Sequence, residues 1–203
     1  MNNIKIIQAE KKHLSYVTEI SQMIYLETLN KGIGLARRSQ EYLSDKIKTA
    51  KSVIALDGEI VVGFCYIESW GHKKFVANSG LIIHKRYRKN GLAKAIKRKA
   101  FEISRNRFPS AKIFGLTTNL AVMMINSDLQ YRPVTFSMLT NDSEFWEACR
   151  TCPNYDIFQR TGGKNCLCTA MVFDPKRKNQ NNRISEDMIV SINVNDKLIN
   201  YEK

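Results

Sequence analysis

Apolar and polar positions change period several times along the chain, and each change marks an element. Ile4 to Gln8 reads as a short strand. From Lys11 to Leu29, Leu14, Val17, Ile20 and Ile24 recur at helical spacing. Gly32 and Gly34 stop that helix, and Lys31 to Arg38 forms a flexible basic link. Ser39 is placed to cap a second helix to about Ala50, with Glu41 in its first turn. Ser52 to Leu56, the turn Asp57-Gly58 and Ile60 to Glu68 predict a hairpin, since Asp-Gly between apolar runs favours a tight turn. Phe75 to Ile83 is the next strand. Asn78, Ser79 and Gly80 interrupt it, and a glycine there suggests a bulge or a close backbone approach by a ligand.

Leu92, Ile96, Ala100 and Ile103 align on one face of a helix from Gly91 to Arg107, which Phe108-Pro109-Ser110 ends. Lys112 to Thr118 is a strand, and Thr118 or Asn119 caps a short helix to about Leu129. Tyr131 to Leu139 reads as a strand despite Pro133, Phe145 to Cys152 as a turn or two of helix, and Asn165 to Phe173 as a strand. Asp174 to Glu186 is polar and basic, a linker or tail, and Met188 to Val194 alternates enough for a late strand. The order β α α β β β α β α β … β predicts one mixed α/β domain over residues 1–174, followed by a polar tail over 175–203.

Charge sharpens this picture. The chain has 203 residues, 43% of them hydrophobic, and a net charge of +13 from 32 basic and 19 acidic side chains. That excess invites a polyanion: nucleic acid, a membrane surface or a phosphorylated ligand. It concentrates between His84 and Phe108, where a strand runs into the loop Lys85-Arg86-Tyr87-Arg88-Lys89-Asn90-Gly91 and then a helix. Such an arrangement aims unpaired N–H groups and the helix dipole at one point and is an anion cradle. Lys97 to Arg107 fits a solvated helix face. A nucleic-acid module would interleave more aromatics than Tyr87, Phe101 and Phe108, so that class is the least favoured. No apolar run approaches the ~18 residues of a membrane span, and no leader pattern is present, so the expectation is a cytoplasmic protein with no membrane partner. Its five cysteines are then reduced thiols or metal ligands.

Arg88-x-x-Gly91-x-Ala93 in this setting resembles the GNAT superfamily of acetyl-CoA-dependent N-acetyltransferases, whose pyrophosphate loop is Gln/Arg-x-x-Gly-x-Gly/Ala between the fourth strand and third helix. The resemblance covers roughly Ile4 to Asp174. It implies a twisted, mostly antiparallel sheet of six or seven strands with flanking helices, the fourth and fifth strands being parallel. Leu116-Thr117-Thr118, a short helix and Tyr131-x-Pro133-Val134 are further similar to the acyltransferase domain of N-acetylglutamate synthases, which carry Leu-Thr-Thr and Phe-x-Pro-Val. Gln159-Arg160, followed by Cys166 to Phe173, resembles their last hairpin.

The resemblance implies a division of labour. Arg88, Lys89, Asn90, Gly91, Leu92, Ala93 and Lys94 hold the CoA pyrophosphate, and Leu81, Ile82 and Ile83 pair with the pantetheine arm. Asn119 heads the helix that borders the cofactor. A backbone N–H near Ile82 stabilises the oxyanion. Glu68 is the first candidate for general base and His72 the alternative; the bland readings are a strand-end carboxylate and a solvated histidine. The family's acid, a tyrosine in the fourth helix, falls here on Asn126. Either the thiolate leaves unprotonated, or Asn126 or a water donates a hydrogen bond to it. Arg37 and Arg38, with Arg132 and Arg160, are candidates for acceptor carboxylates, or else surface charge. Cys149-x-x-Cys152 and Cys166-x-Cys168 suggest a structural zinc staple, or buried thiols on a strand face. The expected function is transfer of an acetyl or short acyl group from acyl-CoA to a primary amine, a small amino acid such as glutamate being favoured. A protein or peptide acceptor and a non-catalytic acyl-CoA sensor are the alternatives, and a homodimer stays open.

Overall fold

The computed structural model describes residues 4–29 and 35–177. The link from Lys31 to Gly34, the strand expected at Met188 to Val194 and most of the polar tail lie outside the described residues.

Seven strands form one sheet in the order β1-β2-β3-β4-β5-β7-β6. They are β1 (Ile4–Gln8), β2 (Ser52–Asp57), β3 (Ile60–Trp70), β4 (Phe75–Ile83), β5 (Lys112–Thr117), β6 (Arg132–Val134) and β7 (Thr169–Phe173). All pairs are antiparallel except β4 and β5. The helices are α1 (Val17–Thr28), α2 (Gln40–Lys48), α3 (Leu92–Arg107), α4 (Leu120–Asp128), α5 (Ser143–Glu147) and α6 (Tyr155–Arg160).

Helices cover both faces, which explains why β2 and β3 are apolar runs with little alternation. Ile20 and Ile24 of α1 and Leu43 and Ile47 of α2 pack on Ile54, Phe64 and Ile82. Leu92, Ile96 and Ala100 of α3 pack on Val53, Val62, Cys65 and Ile83 from the opposite face. Ser39 caps α2 by accepting from the Tyr42 N–H at 3.2 Å, and Asn119 caps α4 by accepting from the Val122 N–H at 3.2 Å.

Several expectations shift. The hairpin turn is Gly58-Glu59, with Asp57 still paired to Ile60. Lys11–Tyr16 winds as a 3-10 helix before α1. The Tyr131 to Leu139 strand shrinks to Arg132–Val134, because the chain turns into a 3-10 helix at Phe136–Met138 that buries Phe136. Gln159 and Arg160 lie in α6 instead of a hairpin. Cys166 and Cys168 precede β7 and share no strand face. Lys97, expected on a wet helix face, is only 2% exposed.

The break in the sheet positions the site. β4 and β5 pair only at Phe75↔Lys112, Val76↔Ile113 and Ala77↔Phe114. Beyond that point they separate, while β5 continues against β7. The β3–β4 register slips between Phe64↔Ile82 and Tyr66↔Ser79, which puts one extra residue in β4 at Gly80-Leu81. Gly80 has φ +64°, and a Cβ there would run into the Tyr66 ring, so the expected bulge requires glycine.

Candidate active site

The loop entering α3 turns through two left-handed residues, Lys89 at φ 66° and Gly91 at φ 77°. A Cβ at Gly91 would meet none of the described residues within 4 Å, so among them the helix start is uncovered. Leu92, Ala93 and Lys94 begin the helix, and their N–H groups lie ahead of its first intrahelical acceptors. The loop's cations divide. Arg88 donates from Nε to the Ile83 carbonyl at 3.0 Å and from Nη2 to both oxygens of Glu27 at 2.8 and 3.0 Å. Its guanidinium therefore ties the loop to α1, while Arg88 stays exposed and lines the cavity. Tyr87 donates to Asp57 at 2.8 Å, and Lys94 pairs with Asp128 of α4 at 2.7 Å. Lys89 remains exposed at the cavity edge.

From this loop a cavity of about 820 Å³ runs into the gap between β4 and β5. Leu81, Ile82 and Ile83 line one wall and Asn119 the other. On that side β4 has no strand partner beyond Ala77 among the described residues, which leaves its backbone edge available to an extended ligand. Asn126 lines the cavity at 1% exposure; its Nδ2 faces Met171 Sδ at 3.7 Å, and its Oδ1 has no hydrogen-bond partner.

The far end lies between β3, α2 and the segment from Phe145 to Cys168. Arg38 reaches in from the N-terminal side of α2. Its Nε donates to Tyr66 Oη at 2.9 Å, and its guanidinium stands 5.4 Å from the Tyr42 ring centroid. Burial opposes its charge, but Tyr66 and Tyr42 hold it above the ordinary arginine value. Glu68 lines this chamber too, its carboxylate engaged by Lys46, by Lys51 at 3.6 Å and by the Tyr42 hydroxyl at 3.3 Å. Burial, followed by the Tyr66 and Glu68 neighbours, pushes the Tyr42 phenol far up, so it stays a donor. Two buried donors without partners among the described residues, Trp70 Nε1 and Asn154 Nδ2, belong to residues lining the same cavity.

The other basic candidates lie elsewhere. Arg37 turns to α1, with Nε 3.3 Å from Thr28 Oγ1 and the guanidinium 5.0 Å from the Tyr25 ring centroid. Arg132, Arg160 and His72 do not line the cavity, and Arg160 pairs with Asp156 at 3.1 Å. Tyr42, Trp70 and Asn154 line the cavity without a sequence motif that marks them, and Lys97 lines it too. For Lys97 a signal existed: it continues the stripe Ala93, Lys97, Ala100, Ser104 on the inward side of α3.

All four clustered cysteines line the chamber and influence one another electrostatically. Burial pushes Cys149 up to about 11 and Cys168 up to about 12, with neighbouring thiols adding to each. Among the described residues no group of three or more His, Cys, Asp or Glu is disposed to hold a metal ion, so the zinc staple finds no support in the geometry.

No curated protein matched the sequence. Solved structures share the fold at low identity. The N-acetylglutamate synthase of Neisseria gonorrhoeae, complexed with coenzyme A and N-acetyl-glutamate, is 16% identical with a TM-score of 0.60; the match covers 86% of this chain but only 35% of that one. The yncA protein of Salmonella typhimurium, solved with its cofactor acetyl-CoA, is 12% identical with a TM-score of 0.60, covering 87% and 96%. The diaminobutyrate acetyltransferase of Paenibacillus lautus, complexed with L-2,4-diaminobutyric acid and coenzyme A, is 11% identical with a TM-score of 0.58, covering 88% and 98%. The acetyltransferase (GNAT) family model matches residues 19–123, a span from α1 through the broken sheet and the basic loop before α3 into α4. Sequence match, strand order and an open helix start beside a splayed strand pair agree: the chain belongs to the acetyltransferase (GNAT) family.

Proposed function

We propose that this acetyltransferase moves an acetyl or short acyl group from acyl-CoA to the primary amine of a small amino acid. The observation that carries this is the continuity of one cavity from the open start of α3 to the chamber holding Arg38. In this reading the N–H groups at the start of α3 and exposed Lys89 take the pyrophosphate. The free edge of β4 from Leu81 to Ile83 takes the pantetheine arm as an added strand. The backbone at Ile82, beside the bulge, faces the thioester carbonyl and stabilises its oxyanion.

Arg38 takes the acceptor carboxylate, helped by the N–H donors of Trp70 and Asn154, which are buried and otherwise unpartnered. The amino acids in the Neisseria and Paenibacillus complexes support an acceptor of this class. Glu68 receives the acceptor's proton. Because Lys46, Lys51 and Tyr42 already contact its carboxylate, that proton travels through Tyr42 or a water.

The test is thiol release from acetyl-CoA with a panel of amino acids, glutamate and diamino acids included, alongside calorimetric CoA binding. Turnover with an amino acid supports the reading. CoA binding without turnover on any amine points to a sensor, and turnover only on peptides moves the acceptor to a protein.

A further inference from the structure

Lys97 is fully buried, yet it lines the reaction cavity and has no part in the chemistry above. It reaches from α3 to the crotch where β4 and β5 part. There its Nζ donates to the Asn78 carbonyl at 2.8 Å, at the first β4 position without a β5 partner. Among the described residues no carboxylate pairs with it. The titratable groups facing it are the Cys65 thiol of β3 and the Tyr131 phenol, whose ring centroid is 5.7 Å away; burial keeps both protonated at neutral pH. Directly across lies Gly115 of β5. A Cβ there would stand 3.7 Å from Lys97 Nζ and 3.8 Å from Asn126 Nδ2, so the missing side chain opens one small space to both polar ends. Asn126, whose Nδ2 borders this space, has a buried amide oxygen with no hydrogen-bond partner among the described residues.

We propose that Lys97 is the cation that receives the departing CoA thiolate, reaching into the space that Asn126 borders without a charge to offer. This rests on the acetyltransferase reading. As the acceptor nitrogen bonds to the acyl carbon, the C–S bond breaks and its electron pair goes to sulfur. The sulfur leaves as a thiolate paired with the Lys97 ammonium and takes a proton from water as CoA departs. The proton lost by the acceptor goes to Glu68 and solvent. Burial leaves the ammonium poorly solvated, so an arriving anion is stabilised there more strongly than in water.

A purely structural Lys97, capping the orphan Asn78 carbonyl, is the competing role, and the sulfur itself separates the two. The thiolate absorbance of bound CoA is titrated against a desulfo-CoA complex as the blank, for wild type and Lys97→Met, with binding followed by calorimetry. The expected wild-type midpoint lies about one pH unit or more below the free thiol near ~8.5, and in Lys97→Met it rises to or above that value. With an acceptor in hand, kcat falls about 100-fold in the variant while the acetyl-CoA KM stays within about threefold. Lys97→Gln replaces Lys97→Met where the latter fails to fold. A wild-type midpoint that is not lowered overturns the proposal without any variant. So does a midpoint equally low in wild type and variant, or a loss of stability as the variant's only change. Failure of CoA to bind wild type removes the acetyltransferase reading together with the proposal.

Discussion

Arg88 closes on Glu27 with Nη2 2.8 Å from one carboxylate oxygen and 3.0 Å from the other, tying the anion loop to the end of α1. The sequence pattern suggested that Arg88 meets phosphate. The geometry shows that it also braces the loop, while staying exposed along the cavity beside the N–H groups of the helix start. Breaking the brace should therefore loosen the cofactor site without touching the acceptor chamber. For Glu27→Gln and Arg88→Ala we expect the acetyl-CoA KM to rise about 5–10-fold with kcat within about twofold. Steady-state kinetics with acetyl-CoA varied checks this; an unchanged KM removes the tether from cofactor binding.

Two glycines with positive φ separate strain from packing. Gly91→Ala puts its Cβ into open space and adds only the left-handed backbone cost, about 1 kcal/mol. Gly80→Ala adds a similar backbone cost and drives the Tyr66 ring aside, for a total of about 2–4 kcal/mol. Tyr66 also holds Arg38 by the 2.9 Å hydrogen bond, so Gly80→Ala should weaken acceptor binding as well. Denaturant titration gives the first effect and acceptor KM the second. Equal stability losses at the two positions would show that the Tyr66 contact relaxes freely.

Adjacent arginines are predicted to behave differently. Arg38→Ala should raise acceptor KM about 10–100-fold, the loss of one charge-assisted contact of about 1.5–3 kcal/mol. Arg37→Ala should leave it within about twofold, because Arg37 sits against Thr28 and Tyr25. Arg38→Lys should not restore binding, since an ammonium cannot bridge Tyr66 and a carboxylate in the guanidinium's planar geometry. Comparable effects at both positions would place the acceptor outside the chamber.

Local patterns with local causes were legible in the sequence. Ser39 and Asn119 cap helices through their own side chains, and Gly80 marks its bulge because no other residue tolerates both the backbone angle and the Tyr66 ring. What was hidden depends on distant partners. Nothing near Arg88 announces Glu27, sixty-one positions away, and nothing near Glu68 announces Lys46 and Lys51 from the preceding helix and its exit. Lys97 was misplaced because a lysine in a basic helix is normally solvated. Only the splay of β4 from β5 leaves a carbonyl for a buried ammonium to reach. Trp70 and Asn154 are unremarkable in sequence and become candidates only because folding leaves their donors unpartnered.

The thiols give a pH prediction whose sign can be worked out. Burial pushes Cys65 and Cys149 each up to about 11 and Cys168 up to about 12, whereas an unfolded thiol titrates near ~8.5. Below that value both states keep these protons and pH does not discriminate. Above it the unfolded chain releases protons that the folded chain retains, so unfolding is favoured progressively until the folded thiols also titrate. Lys97 acts in the opposite sense: burial lowers its ammonium, so it favours the folded state increasingly as pH rises toward ~10.4. Four raised thiols, Cys152 included, stand against one amine, and the raised Tyr42 and Tyr131 phenols add to them above about pH 10, so the net effect is a fall. We expect the melting temperature to decline between about pH 8.5 and 10.5, with Cys168→Ser flattening part of the decline and Lys97→Met steepening it. Alkylation of Cys149 and Cys168 in the native protein should be slow at pH 7.5 and still rising at pH 10, because the reactive thiolate is scarce until then. Fast alkylation at neutral pH would show instead that the chamber thiols are solvated, and the stability slope above pH 8.5 would then vanish with it.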